Sequence, residues 1–280
     1  MKTNFKKSKK IILSTVLFIF SIFTLNAQTQ ISTIALKHLD NFWHKSVELT
    51  SYRSNSAKVI DELEKFKNTY PYDSFSTQEK LIFDTFYIIE YYNCVFENKS
   101  YDASMKKSLM SQIEKNEAFI KQNKGNVSCW LYLLTSDCLS CYMAYSPISG
   151  ALKYGLKVKD YFEECLKIEP KNSIGLTHYA QWFYWAPAIN GGSKKKAKNY
   201  LQSACENAKT EAEKFYANLY YSQILFDLGE KDAASVSFSK SKAICPKSEL
   251  VLEIENANKR GLSFFEYSRE KSDKNGRTDK

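Results

Sequence analysis

The 280 residues are 44% hydrophobic and 25% charged, with only 9 glycines and 5 prolines. That composition excludes a disordered chain, a collagen and a polytopic membrane protein, and it leaves few breaks in what reads as a run of long helices. The formal net charge of +9 invites a nucleic-acid partner, but the basic excess gathers in two end segments, so no such partner is expected.

The first of those segments opens the chain. Residues 2–10 carry five lysines and no acid, residues 11–25 ("IILSTVLFIFSIFTL") are apolar, and Asn26-Ala27 leads into polar "QTQ". A basic start, a short apolar run and a small residue at the cut predict a secretory signal peptide over 1–27. The competing reading is an uncleaved anchor, since the apolar run falls a little short of a span. No cysteine precedes Cys94, so the lipid-attachment motif of a lipoprotein is missing. Loss of the five lysines takes the formal charge from +9 to +4. The mature protein is expected to be periplasmic or secreted, with no stable membrane span.

Residues 28–138 read as an N-terminal helical region. "KVIDELEKFKNTYP" places Val59, Ile60, Leu63 and Phe66 on one face and stops at Pro71. "STQEKLIFDTFYIIEYYNCVFE" opens with Ser76 or Thr77 as N-cap and Glu79 close behind, then runs on without a breaker. "YDASMKKSLMSQIEKNEAFIKQNKGN" is amphipathic and ends at Lys124-Gly125-Asn126. No pair of alternating runs joined by a tight turn occurs anywhere, so the chain is read as all-α.

Seven cysteines in an exported chain invite disulfides, although the count is odd. Cys138-Leu139-Ser140-Cys141 is the one CxxC, without the strand–helix setting of a redox motif or the second ligand pair of a zinc site. Buried small apolar side chains and a Cys138–Cys141 disulfide both remain open. The three histidines, His38, His44 and His178, offer little chemistry. His44 and Glu48 lie one helical turn apart, but two ligands rarely hold a metal. His178 on an aromatic-rich helix is read as structural before it is read as a metal or haem ligand. Adjacent acids (Asp61-Glu62, Glu163-Glu164) are read as solvated helix faces. No HExxH or GxSxG pattern occurs; no enzyme, metal or cofactor is predicted.

Internal repetition is the strongest signal. In "VKDYFEECLKIEPKN" Val158, Phe162, Cys165 and Pro170 stand at the same spacing as Ala234, Phe238, Ser241 and Pro246 in "ASVSFSKSKAICPKS". Between them "SIGLTHYAQWF" offers Leu176, Tyr179, Ala180 and Phe183. Over about residues 155–248 this resembles the tetratricopeptide-repeat superfamily, in which helix A and helix B of each pair carry bulky and small residues at these intervals. The resemblance implies an α-solenoid of antiparallel helix pairs at about 139–172, 173–211 and 215–248, preceded by the additional N-terminal helices. Small residues (Ala180, Ser222, Cys165, Ala204, Ser241) would let helices approach, and Pro would end helix B. Pro147 interrupts helix A of the first pair in this reading. "SELVLEIENANKRG" fits the helix that covers the last face, so the array spans 139–264, and 265–280 is expected to be a disordered charged tail.

The stretch "WFYWAPAINGGSKKKA" at 182–197 imitates a phosphate site. A Walker loop needs glycine where Pro187 stands and lysine where Ser193 stands, and no strand precedes it. It reads instead as a joint: Pro187 ends one helix, Asn190-Gly191 turns the chain, and Ser193 caps the next, with lysines on its exposed first turns. Lysines there leave a weak case for an anion. The insert is similar to the lengthened A–B loop of exported bacterial members of the same superfamily.

The superfamily's ligand-facing positions, carried over by register, are Ile174, Thr177, Gln181, Tyr184 and Trp185 in one repeat. In the next they are Tyr216, Leu219, Gln223, Phe226 and Asp227. The resemblance therefore implies a groove suited to an extended peptide. The alternative for these aromatics is packing against the N-terminal helices. Two functions follow. The first is a non-enzymatic adaptor binding a protein or peptide of the cell envelope. The second is a periplasmic small-ligand component, similar to the repeat-containing accessory subunits of TRAP-type transporters. An open groove with exposed Tyr184 and Trp185 would favour the first; an apolar pocket closed by the N-terminal helices would favour the second.

Overall fold

The computed structural model describes residues 31–97 and 103–274. The expected signal peptide lies outside the described residues. Within them the chain forms twelve α-helices and three single 3-10 turns, with no strand, so the all-α reading holds.

The array begins with α5 (Cys129–Met143) and α6 (Pro147–Ile168), followed by α7 (Ser173–Trp185) with α8 (Lys194–Asn207) and α9 (Glu211–Asp227) with α10 (Lys231–Ile244). Each helix packs most extensively on its own hairpin mate, and α9 also packs on α7 and α8. The small residues that the spacing singled out sit at the contacts: Ala180, Cys165, Ala204, Ser222 and Ser241 are all 0% exposed. Where the small residue is serine, its hydroxyl finds a neighbouring carbonyl: Ser241 Oγ donates to Phe215 O at 2.8 Å, and Ser222 Oγ to Leu219 O at 2.6 Å. Close approach thus leaves these buried hydroxyls paired.

The two Pro-containing turns repeat in three dimensions. Glu169 and Cys245 end their helices with φ of −127° and −133°. Pro170 or Pro246 follows, and Asn172 or Ser248 caps the next helix, accepting from Gly175 N at 2.8 Å and Val251 N at 3.2 Å.

The first pair starts earlier than the sequence reading placed it. Pro147 does not interrupt helix A. It sits at the first position of α6, where a missing N–H costs nothing because no carbonyl precedes it in the helix. Helix A is therefore α5, and Cys138 and Cys141 lie within it as free thiols.

Among the described residues four helices precede the array: α1 (Thr33–Leu49), α2 (Ser56–Lys67), α3 (Thr77–Glu97) and α4 (Ala103–Gln122). Ser76 caps α3 by a reciprocal pair, Glu79 N to Ser76 Oγ at 3.3 Å and Ser76 N to Glu79 Oε2 at 2.8 Å. The other oxygen of Glu79 accepts from Ser32 N at 2.7 Å, tying the start of α1 to the start of α3. In α2, Val59 and Leu63 are buried as expected, but Ile60 is 39% exposed. Thr85, Gln112, Asn116 and Thr135 form a closed buried network that joins α3, α4 and α5.

Two more helices end the described chain: α11 (Glu249–Lys259) and α12 (Phe264–Lys274). The expected tail from 265 is thus helical as far as Lys274, because Phe265 is an anchor, 1% exposed and stacked on Tyr184 at 3.9 Å. The first and last elements also meet. Thr50 Oγ1 donates to Ser248 Oγ at 2.7 Å and Ser54 N to Glu249 Oε2 at 2.6 Å. Among the described residues no helix is long and apolar enough to cross a membrane.

Candidate ligand cavity

A cavity of about 850 Å³ lies against the first helices of the three pairs, α5, α7 and α9, with α1, α3, α6 and α12 completing its wall. The N-terminal helices supply Trp43, Phe86 and Ile89; the array supplies Leu134, Phe162 and Trp182. These side chains are locked by their own packing. Trp43 meets Phe86 edge to face at 4.5 Å and Tyr216 at 6.0 Å, while Trp182 Nε1 donates to Gly155 O at 2.9 Å. Exposed side chains stand at the rim, among them Ile148 (67% exposed) and Trp185 (43%). Arg269 of α12 stands over the Trp185 ring at 5.6 Å. Apolar walls of this extent with a few fixed polar groups are the usual make-up of a small-molecule site.

Polar groups from several helices face the space. Asp137 of α5 holds His178 of α7 through Nδ1 at 2.7 Å. Glu90 of α3 is 9% exposed and accepts from Ser46 Oγ at 2.8 Å and Asn93 Nδ2 at 3.5 Å. Ser46 in turn meets the Tyr216 hydroxyl at 2.8 Å, which links α1, α3 and α9. Burial pushes the Glu90 carboxyl above its ordinary range, against the hydrogen bonds and the more distant charge of Arg53. A smaller cavity of about 180 Å³ adjoins, sharing Ser46, Glu90 and Tyr216 and bounded by Arg53. Burial likewise raises the Cys141 thiol, with Cys138, Asp137 and Glu90 adding to the effect; held as a thiol, it is a poor nucleophile. Ser140 Oγ is engaged by Ser136 O at 2.9 Å. The Asp137 contact fixes the orientation of the His178 ring on the cavity wall. Among the described residues no three His, Cys, Asp or Glu side chains gather as a metal site. His44 lies 3.8 Å from Asp40, and Glu48 instead pairs with Lys45 at 3.1 Å.

The groove positions taken from the repeat register do not stay together. Gln181, Trp185 and Tyr216 line the cavity. Ile174, Thr177 and Leu219 are 0% exposed and belong to the core; Thr177 Oγ1 is satisfied by Ser173 O at 2.8 Å. Gln223 is 1% exposed and binds the C-terminal segment, accepting from Phe264 N at 2.9 Å and donating to Asn258 Oδ1 at 3.1 Å. Tyr184 is covered by Phe265. Asp227 is taken by Lys194 at 2.5 Å and by Ser263 Oγ at 3.4 Å. Phe226 is half-buried and off the cavity wall. Trp43, Glu90 and Asp137 carry the cavity's chemistry and were not singled out, because each joins it from a different helix and no local spacing marks them.

The glycine-containing joint is a structural turn. Gly191 has φ of +94°, and a Cβ on Gly192 would lie 1.7 Å from Ala186 O. Ser193 N donates to Phe183 O at 2.8 Å and Ser193 Oγ caps α8 through Lys196 N at 3.3 Å. Of its lysines, Lys194 pairs with Asp227 of the next pair and Lys196 stands over the Phe183 ring at 5.3 Å; Lys198, further along α8, pairs with Glu230 at 2.7 Å.

No protein-family model matches the chain, and no curated protein is similar to it at a significant level.

Proposed function

We propose that this chain is an exported, non-enzymatic helical-repeat protein of the tetratricopeptide type that holds a small amphipathic organic molecule in the cavity between its repeat array and its N-terminal helices. One observation carries the reading: α1 and α3 cover the inner face of the array and leave about 850 Å³ walled by Trp43, Phe86 and Trp182, with Glu90 and Asp137 on the same wall. A volume of that size suits a single small ligand. The extended-peptide reading loses support because Thr177, Leu219 and Gln223 have almost no exposed surface. Export, and with it a place in the periplasm or outside the cell, rests on the basic and apolar residues 1–27.

The test is a melting-temperature screen of the mature protein against fractionated small-molecule extract of the producing cell. Ala144→Trp, which places a large ring in the cavity wall, is run beside it. A fraction that raises Tm for the native chain and not for the variant supports the reading. No active fraction, or an equal rise in both proteins, overturns it. Amino-terminal sequencing of exported material is expected to start near Gln28; a start at Met1 contradicts cleavage.

A further inference from the structure

The charges on the cavity wall narrow the ligand further. Glu90 is nine-tenths buried, and its hydrogen-bond partners, Ser46 and Asn93, are both neutral. Asp137 has His178 as its partner. Among the described residues, Glu90 has no cation in hydrogen-bond contact. Arg269, the one lysine or arginine among the described lining residues, is exposed at the rim over Trp185. Arg53, in the smaller cavity, lies 3.7 Å from Glu253, which answers part of its charge. A buried carboxylate with neutral partners is costly unless a proton or a cation reaches it. The surrounding rings, Trp43, Phe86, Trp182 and Tyr216, present faces and edges on the same wall, and aromatic faces attract cations most strongly where water is excluded.

We propose, building on the cavity reading above, that the ligand is an organic cation, an amine or quaternary ammonium on an apolar body. Its positive end is received by Glu90 and Asp137, and its body lies against Trp43, Phe86 and Trp182. A neutral or anionic ligand of the same shape would leave Glu90 as it stands and gain only the apolar contacts.

The experiment uses three probes of one shape: phenylbutylamine, phenylbutanol and phenylbutyrate. Binding to the mature protein is measured by calorimetry and tryptophan fluorescence. The native chain is expected to bind the amine at least about tenfold more tightly than the alcohol, and the carboxylate least. Glu90→Gln, and separately Asp137→Asn, should shrink the amine's margin over the alcohol several-fold, because the charge-assisted contact is lost for the amine alone; circular dichroism verifies the fold of each. Equal or tighter binding of the alcohol or the carboxylate overturns the cation assignment and leaves the cavity reading standing. An undiminished margin in both variants overturns the role of the two carboxylates. Binding of none of the three overturns the cavity reading as well.

Discussion

Ala180 shows what a single position carries. It is 0% exposed within the main core, so extra methylenes have nowhere to go. Ala180→Leu is expected to cost about 1–3 kcal/mol by overpacking, read from chemical denaturation; a neutral change would contradict the packing role. Glu90 carries a different liability. Its folded-state pKa lies above the ordinary carboxylate value of 4.5 because burial disfavours the charge. A raised carboxyl binds its proton more tightly when folded, so folding is favoured at low pH and stability falls as pH rises from about that value through the folded pKa. Glu90→Gln removes the titration. The variant should melt above the native chain at neutral pH, and the gap should close once both are studied below pH 4.5. A gap independent of pH would contradict the assignment. The small positions Cys165, Ala180 and Ser241 were legible in the sequence because repetition at fixed spacing is a local signal. Glu90 was not, since an acid in the aromatic helix "FDTFYIIEYYN" reads as the polar stripe of an amphipathic surface until α1 and α9 are seen covering it.

Among elements, the joint between α7 and α8 was readable for the same reason: caps and turns are made by neighbours in sequence. Its most exacting position is Gly192. Because a Cβ there would overlap the Ala186 carbonyl, no rotamer relieves the clash. Gly192→Ala is expected to destabilise the chain by about 1–3 kcal/mol, whereas Gly155→Ala, where a Cβ meets nothing within 4 Å, should be neutral or mildly stabilising through helix propensity. Equal effects would contradict this account of the turn. The helix α12 was hidden by composition. Its charged residues masked Phe265, whose partner Tyr184 lies far back in α7. Ending the chain after Leu262 should lower Tm and raise the fluorescence of an apolar dye, because Ser268 and Arg269 leave the cavity rim and the loss of Phe265 uncovers Tyr184. An unchanged melt would show that α12 contributes no stability.

At the scale of the whole molecule, the repeats alone would leave the inner face of the array open. The contacts Thr50–Ser248, Ser54–Glu249 and Ser46–Tyr216 join α1 and the turn after it to α9 and the start of α11, and turn that face inward. That closure depends on pairs distant in sequence, so the spacing that revealed the repeats could not reveal it, and positions expected to form a groove were drawn into the core or under α12. What remains open to ligand is the cavity. The most direct measurement is native mass spectrometry of the mature protein after incubation with small-molecule extract of the producing cell. One small molecule bound per native chain, absent from Ala144→Trp, is the expected result. A bare native chain, or the same adduct on both proteins, would contradict it.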